Sequence, residues 1–247
     1  MKMLVTLMLL LSAATAQAGD PVLAKNIVIV HGAFADGSGW EGVYRILTND
    51  GYNVTVVQNS TASLAADVTA TQNVLAGQNG PVVLVGHSYG GEVITQAGND
   101  PKVKSLVYVA AFAPDAGESL QSLSAKPEFS PGPPVVVSNG FLLLDPAKFP
   151  EAFAADVDPA KARFLAASQV PLTLQTFTDS VTTVAWKTKP SYSIISSEDH
   201  MIPAAAERWM ATRAHSVQVE IQGASHAVYI SQPDKVAAVI EQAASAQ

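Results

Sequence analysis

Val82-Val83-Leu84-Val85-Gly86-His87-Ser88-Tyr89-Gly90-Gly91 is the stretch that decides how this chain is read. An apolar, β-branched run stops at a glycine, and beyond Gly90 the residues Val93, Ile94 and Ala97 recur at the spacing of one helical face. The order is strand, sharp turn, helix. A serine at the apex of such a turn takes a strained positive φ, and a side chain two residues away on either flank would collide there, so Gly86 and Gly90 are required. The turn pushes the Ser88 hydroxyl above the end of the sheet. The Tyr89 amide then sits at the opening of a helix, where it points toward any negative charge that develops beside the serine. A G-x-S-x-G string alone also occurs in ordinary loops; the strand before it and the helix after it favour the functional reading.

Working outward, Asn26 to Val30 is a continuous apolar run that suits a strand buried on both faces, and it ends in His31-Gly32-Ala33-Phe34. Trp40, Val43, Tyr44 and Leu47 mark a helical face that stops at Gly51. Asn53 to Val57 reads as a strand, Leu64, Val68 and Leu75 as a helix, and Ser105 to Ala111 as a further strand. Later come a strand from Ser191 to Ile195, a helix opened by Pro203, a strand from Val217 to Ile221 and a last helix burying Val236, Val239 and Ile240. Ser231-Gln232-Pro233-Asp234 has the form of a capping box for that helix. Alternating short strands and helices predict an α/β fold with a doubly wound, mostly parallel sheet, and functional groups at the carboxyl ends of its strands.

From about 112 to 186 the alternation breaks. Pro127, Pro131, Pro133 and Pro134 cluster, and Ser138-Asn139-Gly140 between two apolar runs predicts a hairpin. Asp158-Pro159 reads as an N-cap and first helical residue. This insertion is expected to cap the site. Phe34, Phe112, Phe141 and Trp186 are the candidate pocket residues, with Phe149, Phe153, Phe164 and Phe177 as further aromatics that either line a pocket or pack the cap on the sheet.

The length of 247 residues accommodates one α/β domain with a substantial core. A net charge of -7 with 14% charged residues, and no Lys/Arg cluster, argues against a nucleic-acid partner. Met1-Lys2, the apolar stretch Leu4 to Leu11 and Ala16-Gln17-Ala18 form a signal peptide over 1–18, too short to span a bilayer. The expected mature domain is 19–247, exported to the periplasm or secreted, with no membrane association after cleavage. The absence of cysteine excludes thiol catalysis and Cys-based metal sites. The histidines are scattered without H-E-x-x-H spacing, so no metal is expected.

A serine hydroxyl needs a base within hydrogen-bond reach and a carboxylate to orient that base. His226, in Gly223-Ala224-Ser225-His226 just after the last strand, is the candidate base. Asp199, just past the preceding strand, is the candidate acid, giving the chain order serine, acid, histidine. Asp115 is the competing acid, and Glu198 should leave the opposite side of the backbone. His31 is expected to brace the loop after the first strand. His87 should point away from its neighbour, and His200 and His215 are read as structural or solvated. The second oxyanion amide, besides Tyr89, is assigned to Ala33, with Phe34 as the fallback.

These residues resemble the α/β-hydrolase superfamily, through His31-Gly32-Ala33-Phe34, Gly86 to Gly91, Ser197 to Pro203 and Gly223 to His226. Within it the chain is similar to small bacterial serine esterases related to the plant methyl-ester esterases and hydroxynitrile lyases, notably over Gly86 to Ala97 and Tyr108 to Glu118. The resemblance implies a sheet of eight strands, a nucleophile at Ser88, an acid at Asp199, a base at His226 and oxyanion amides at Ala33 and Tyr89. Two departures matter. The Gly-Gly-Gly-x motif of esterases that accept tertiary alcohols is missing, and Ala227 stands where cyanohydrin-cleaving members carry lysine. The expected function is therefore a carboxylesterase acting on a small-molecule ester, and a serine esterase needs no cofactor. The rival readings are a ligand-binding protein with little turnover, and a cofactor-free perhydrolase or haloperoxidase-type activity.

Overall fold

The computed structural model describes residues 23–246. The expected signal peptide and the cleavage point before Gly19 lie outside the described residues. The strands are β1 (Asn26–Val30), β2 (Asn53–Val57), β3 (Val82–His87), β4 (Val103–Val109), β5 (Val135–Ser138), β6 (Phe141–Leu144), β7 (Leu172–Thr173), β8 (Ser191–Ser196) and β9 (Val217–Ile221). Helices α1 (Glu41–Asn49), α2 (Leu64–Ala76) and α3 (Gly90–Ala97) alternate with the first four strands. Between β4 and β8 lie α4 (Leu120–Ser124), α5 (Phe149–Phe153), α6 (Pro159–Ala167) and α7 (Leu174–Thr178). After β8 come α8 (Ala204–Arg213), α9 (Val228–Ser231) and α10 (Pro233–Ala244). Among these helices none is long and apolar enough to cross a membrane.

The main sheet runs β2-β1-β3-β4-β8-β9, and every pairing in it is parallel. Among the described residues it therefore has six strands, not the eight that the resemblance implied. Strands β1 and β3 are buried throughout because both faces are covered. Ile27, Ile29, Val83, Val85, Val107 and Val109 face one core with residues of α1 and α10. Val28, Val30, Leu84, Leu106 and Tyr108 face the other, with residues of α2, α3 and α8. The chain leaves β1 toward β2 on one side and returns to β3 on the other. The crevice between the carboxyl ends of β1 and β3 is thus the topological switch point, where open α/β sheets place their sites.

The segment between β4 and β8 carries its own antiparallel sheet, β5-β6-β7. Asn139 (φ 51°) and Gly140 (φ 83°) form the tight turn of the expected hairpin, with Ser138 opposite Phe141. The Asp158 side chain accepts from the Ala160 and Lys161 amides and starts α6, with Pro159 at its first turn.

Two local expectations need correction. The capping box at Ser231 does not form: Ser231 is the last residue of α9, where its hydroxyl donates back to the Ala227 carbonyl, and Gln232 precedes α10 without a side-chain cap. Tyr44 is 43% exposed, because α1 begins at Glu41 and turns Val43 and Leu47 inward, whereas Trp40 is buried from the preceding 3-10 turn.

Candidate active site

Ser88 sits between β3 and α3 with φ 52°. A β-carbon on Gly86 would come within 2.5 Å of the Gly90 carbonyl oxygen, and one on Gly90 within 2.5 Å of the Val30 oxygen, so the turn closes only with glycine at both places. The elbow is tied to the end of β4: the Ser88 amide donates to the Val109 carbonyl at 3.3 Å, and the Ser88 carbonyl accepts from Gly91 at 3.0 Å and Phe112 at 3.2 Å. The Phe34 amide donates to Val170 at 2.9 Å, which removes the fallback oxyanion donor. Among the described residues the Ala33 and Tyr89 amides donate to no acceptor, and both residues line the same cavity as Ser88.

His226 and Asp199 come from two loops that are tied together. The Glu198 amide donates to Ala224 at 2.9 Å, and the Gly223 amide to the Ser197 hydroxyl at 2.8 Å. Asp199 Oδ1 accepts from the Met201 and Ile202 amides at 2.6 and 2.9 Å. Its Oδ2 stands 2.6 Å from His226 Nδ1, with both side chains buried. The carboxylate is an acceptor, so Nδ1 carries the proton and Nε2 is left with its lone pair. Nε2 is buried and has no partner among the described residues. Such an imidazole can take a proton from a hydroxyl and pass it to a leaving group.

The other titratable groups fall into place around this pair. Asp115, the competing acid, is ion-paired with Lys187, whose hydrogen bond holds its carboxyl below the usual range. His31 Nδ1 donates to the Gly32 carbonyl at 2.9 Å, and its own carbonyl accepts from Asn59. Burial lowers its pKa, so it braces the loop as a neutral ring. His200 Nδ1 lies 3.3 Å from the Glu151 carbonyl, and His215 (φ 52°) follows the end of α8. Among the described residues no group of three or more His, Asp or Glu side chains is arranged to hold a metal ion.

The cavity beside Ser88 measures about 340 Å³, and no charged side chain lines it. Phe34 and Phe112 are in its wall, as expected, together with Phe129, Phe177, Leu142 and Met201. Phe141 and Trp186 are not. Phe141 is 44% exposed at the hairpin turn. The indole of Trp186 is buried away from the cavity, with its N–H donating to the Pro114 carbonyl at 2.9 Å and the Arg213 guanidinium over its ring. Phe149 and Phe153 stack on each other and are fully buried, and Phe164 is exposed.

The family model described as "Alpha/beta hydrolase family" matches residues 27–239. This chain belongs to the alpha/beta hydrolase family. It is 36% identical over 115 residues to the "Carbendazim hydrolyzing esterase" of Nocardioides sp. (strain SG-4G), a match covering 41% of this chain and 48% of that esterase. It is 25% identical over 252 residues to "Norfluorocurarine synthase 2" of Strychnos sp., covering 86% of this chain and 92% of that one. In fold it superposes on the pyrethroid hydrolase from Sphingobium faniae JZ-2 with a TM-score of 0.76 at 23% identity, covering 90% of this chain and 98% of the other.

The contacts of three residues escape sequence reasoning. His87 has the structural role expected of it, but with a partner the sequence does not show: its Nε2 donates to the His226 carbonyl at 3.0 Å and its ring lies 4.6 Å from the His226 ring. Burial, and then His226, hold its pKa well below 6.5, so it acts as a neutral donor. Asp67 is fully buried on α2 and accepts from the Tyr89 hydroxyl at 2.8 Å and the Ser60 amide at 2.8 Å, which clamps the elbow to the loop after β2. Glu207 on α8 accepts from the Ser196 amide at 3.2 Å and is buried near Asp199. Burial, and then the Asp199 charge, push its carboxyl well above the usual range. The legible signal for Asp67 and Glu207 is a charged residue on the inward face of a helix, beside Leu64 and Val68 in one case and Met210 in the other. For His87 no signal exists, since its partner is a backbone carbonyl 139 positions away.

Proposed function

We propose that this protein is an exported serine carboxylesterase that cleaves small to medium apolar esters through an acyl-enzyme. The observation that carries the reading is His226: Nδ1 held by Asp199, Nε2 buried and unpartnered, and the ring packed against the elbow residue next to Ser88. In this reading His226 takes the Ser88 proton as the hydroxyl oxygen attacks the ester carbonyl. The Ala33 and Tyr89 amides stabilise the tetrahedral oxyanion, an effect of about 3 kcal/mol per donor. His226 then protonates the departing alcohol, and water, activated by the same ring, releases the acid and restores Ser88. A cavity of about 340 Å³ without charged lining favours neutral esters over ionised ones, whose desolvation nothing there would offset. The named esterase among the relatives is consistent with ester hydrolysis here.

The test is hydrolysis of p-nitrophenyl esters of two to eight carbons by the mature chain. Turnover should fall at least about a thousandfold in Ser88→Ala and in His226→Ala. Activity surviving Ser88→Ala would sink the proposal. Export is tested by N-terminal sequencing of protein from the producing cells, with Gly19 expected first and an intact Met1 counting against it.

A further inference from the structure

Resting on the serine-hydrolase reading, we propose that Asp156, in the segment inserted between β4 and β8, is a positioning residue that latches the His226 loop in place through the Ser225 hydroxyl. Among the described residues His226 has a single side-chain hydrogen bond, from Nδ1 to Asp199, and one bond does not by itself fix the plane of the ring. The residues on either side of it are both tied to the inserted segment. The Ser225 hydroxyl donates to the Asp156 carboxylate, with the Phe153 carbonyl 3.3 Å away as a second acceptor. The Ala227 amide donates to that same Phe153 carbonyl at 2.9 Å. The Phe153 ring meets the His226 ring edge-on, with centroids 4.8 Å apart. The acid loop is held from the same place, since His200 Nδ1 reaches the Glu151 carbonyl.

Two physical points single out Asp156 within this set. A hydroxyl bonded to a carboxylate is stronger and more directional than one bonded to a neutral acceptor. Ser225 is 1% exposed, so without that acceptor its hydroxyl is left only with the longer contact to the Phe153 carbonyl. The other ties run through backbone atoms or an apolar ring, whereas Asp156 is a side chain that supplies an acceptor and little packing. Val135, Val137, Leu142 and Phe177 of the inserted segment wall the cavity, and Asp156 joins the same segment to the base.

The experiment compares Asp156→Ala, Asp156→Asn, Ser225→Ala and the double alanine variant in the full mature chain. The readouts are kcat and KM on a p-nitrophenyl ester, the rate of Ser88 labelling by a fluorophosphonate, and the low-field proton resonance of His226 Nδ1–H. Asp156→Ala should lower kcat and the labelling rate about tenfold with KM within about twofold, and should broaden the His226 resonance. Asp156→Asn, which keeps an acceptor oxygen, should recover most of that loss. Ser225→Ala should match Asp156→Ala, and the double variant should be no worse than either, the signature of one shared interaction. Wild-type rates in Asp156→Ala, a loss confined to KM, or losses that multiply in the double variant would overturn the latch. A wild-type protein that fluorophosphonate does not label would remove the serine-hydrolase reading. In that event the resonance still judges the latch: unchanged in Asp156→Ala, it refutes it.

Discussion

Ser88 holds a left-handed backbone that a β-carbon resists, and its neighbours make that conformation the one available. Part of the restraint comes from Gly32, across the switch point: a β-carbon there would lie 2.7 Å from the Ser88 β-carbon and 3.0 Å from His87 Nδ1. Gly32→Ala should therefore push the elbow off its position, lowering kcat/KM at least tenfold while costing about 1–3 kcal/mol of stability. Ester kinetics beside a urea unfolding curve check this, and an active Gly32→Ala enzyme would refute it. At this scale Ser88, Asp199 and His226 are legible along the chain as candidates, because the chemistry demands particular residue types after particular strands, and the structure brings Asp199 and His226 together. The contacts of Asp67, His87 and Glu207 are not legible there, because each is defined by what it touches.

Among the elements, β5 and β6 show how a hairpin can be written locally and yet serve a distant site. Asn139-Gly140 dictates the turn, and Val135 and Val137 then lie in the wall of the cavity. Nothing lies within 4 Å of a β-carbon added at Gly140, so Gly140→Ala acts through backbone strain alone, about 1–2 kcal/mol. All four residues of β5 are exposed, so the strain should loosen the hairpin and leave the main sheet intact. The expected result is a severalfold rise in KM for the bulkier esters, with kcat within about twofold and an unchanged global unfolding midpoint. Equal effects on small and large esters would show that the hairpin does not shape the pocket. Helix starts were readable where a side chain caps the backbone, as at Asp158, and misread at Ser231, where a short helix already occupied the candidate cap.

For the whole molecule, buried titratable groups set a pH dependence of stability. His31 and His87 are held below their ordinary value of 6.5 chiefly by burial. Below about pH 6.5 the unfolded chain binds protons at these rings that the folded chain refuses, so stability falls with acid. Glu92 and Glu207 are held well above 4.5, by burial first and then by Asp179 and Asp199 respectively. Above about pH 4.5 the unfolded chain releases carboxyl protons that the folded chain retains, so stability falls as pH rises toward the elevated folded values. The two trends oppose each other between about pH 4.5 and 6.5, where the urea midpoint should be greatest. Both carboxylate oxygens of Glu92 lack a hydrogen-bond partner among the described residues. Glu92→Gln removes its ionisation, so the decline as pH rises above about 4.5 should be shallower than in wild type, whatever the absolute stability of the variant. Parallel declines in the two proteins would refute this assignment.

Local chemistry alone was enough for the parallel α/β architecture, the elbow, the hairpin and the serine, acid and histidine candidates. Each of these follows from side-chain periodicity, from backbone freedom at glycine, or from the residue types that a proton relay requires. Contacts across long sequence separations settled the rest. They fixed a main sheet of six described strands, the wall of the cavity without Phe141 or Trp186, the engaged Phe34 amide, and the bracing of His226 by His87 and the 153–156 segment. The reason is that a pocket and a brace are made of distances between chain segments, and periodicity along one segment carries no information about which other segment it will meet.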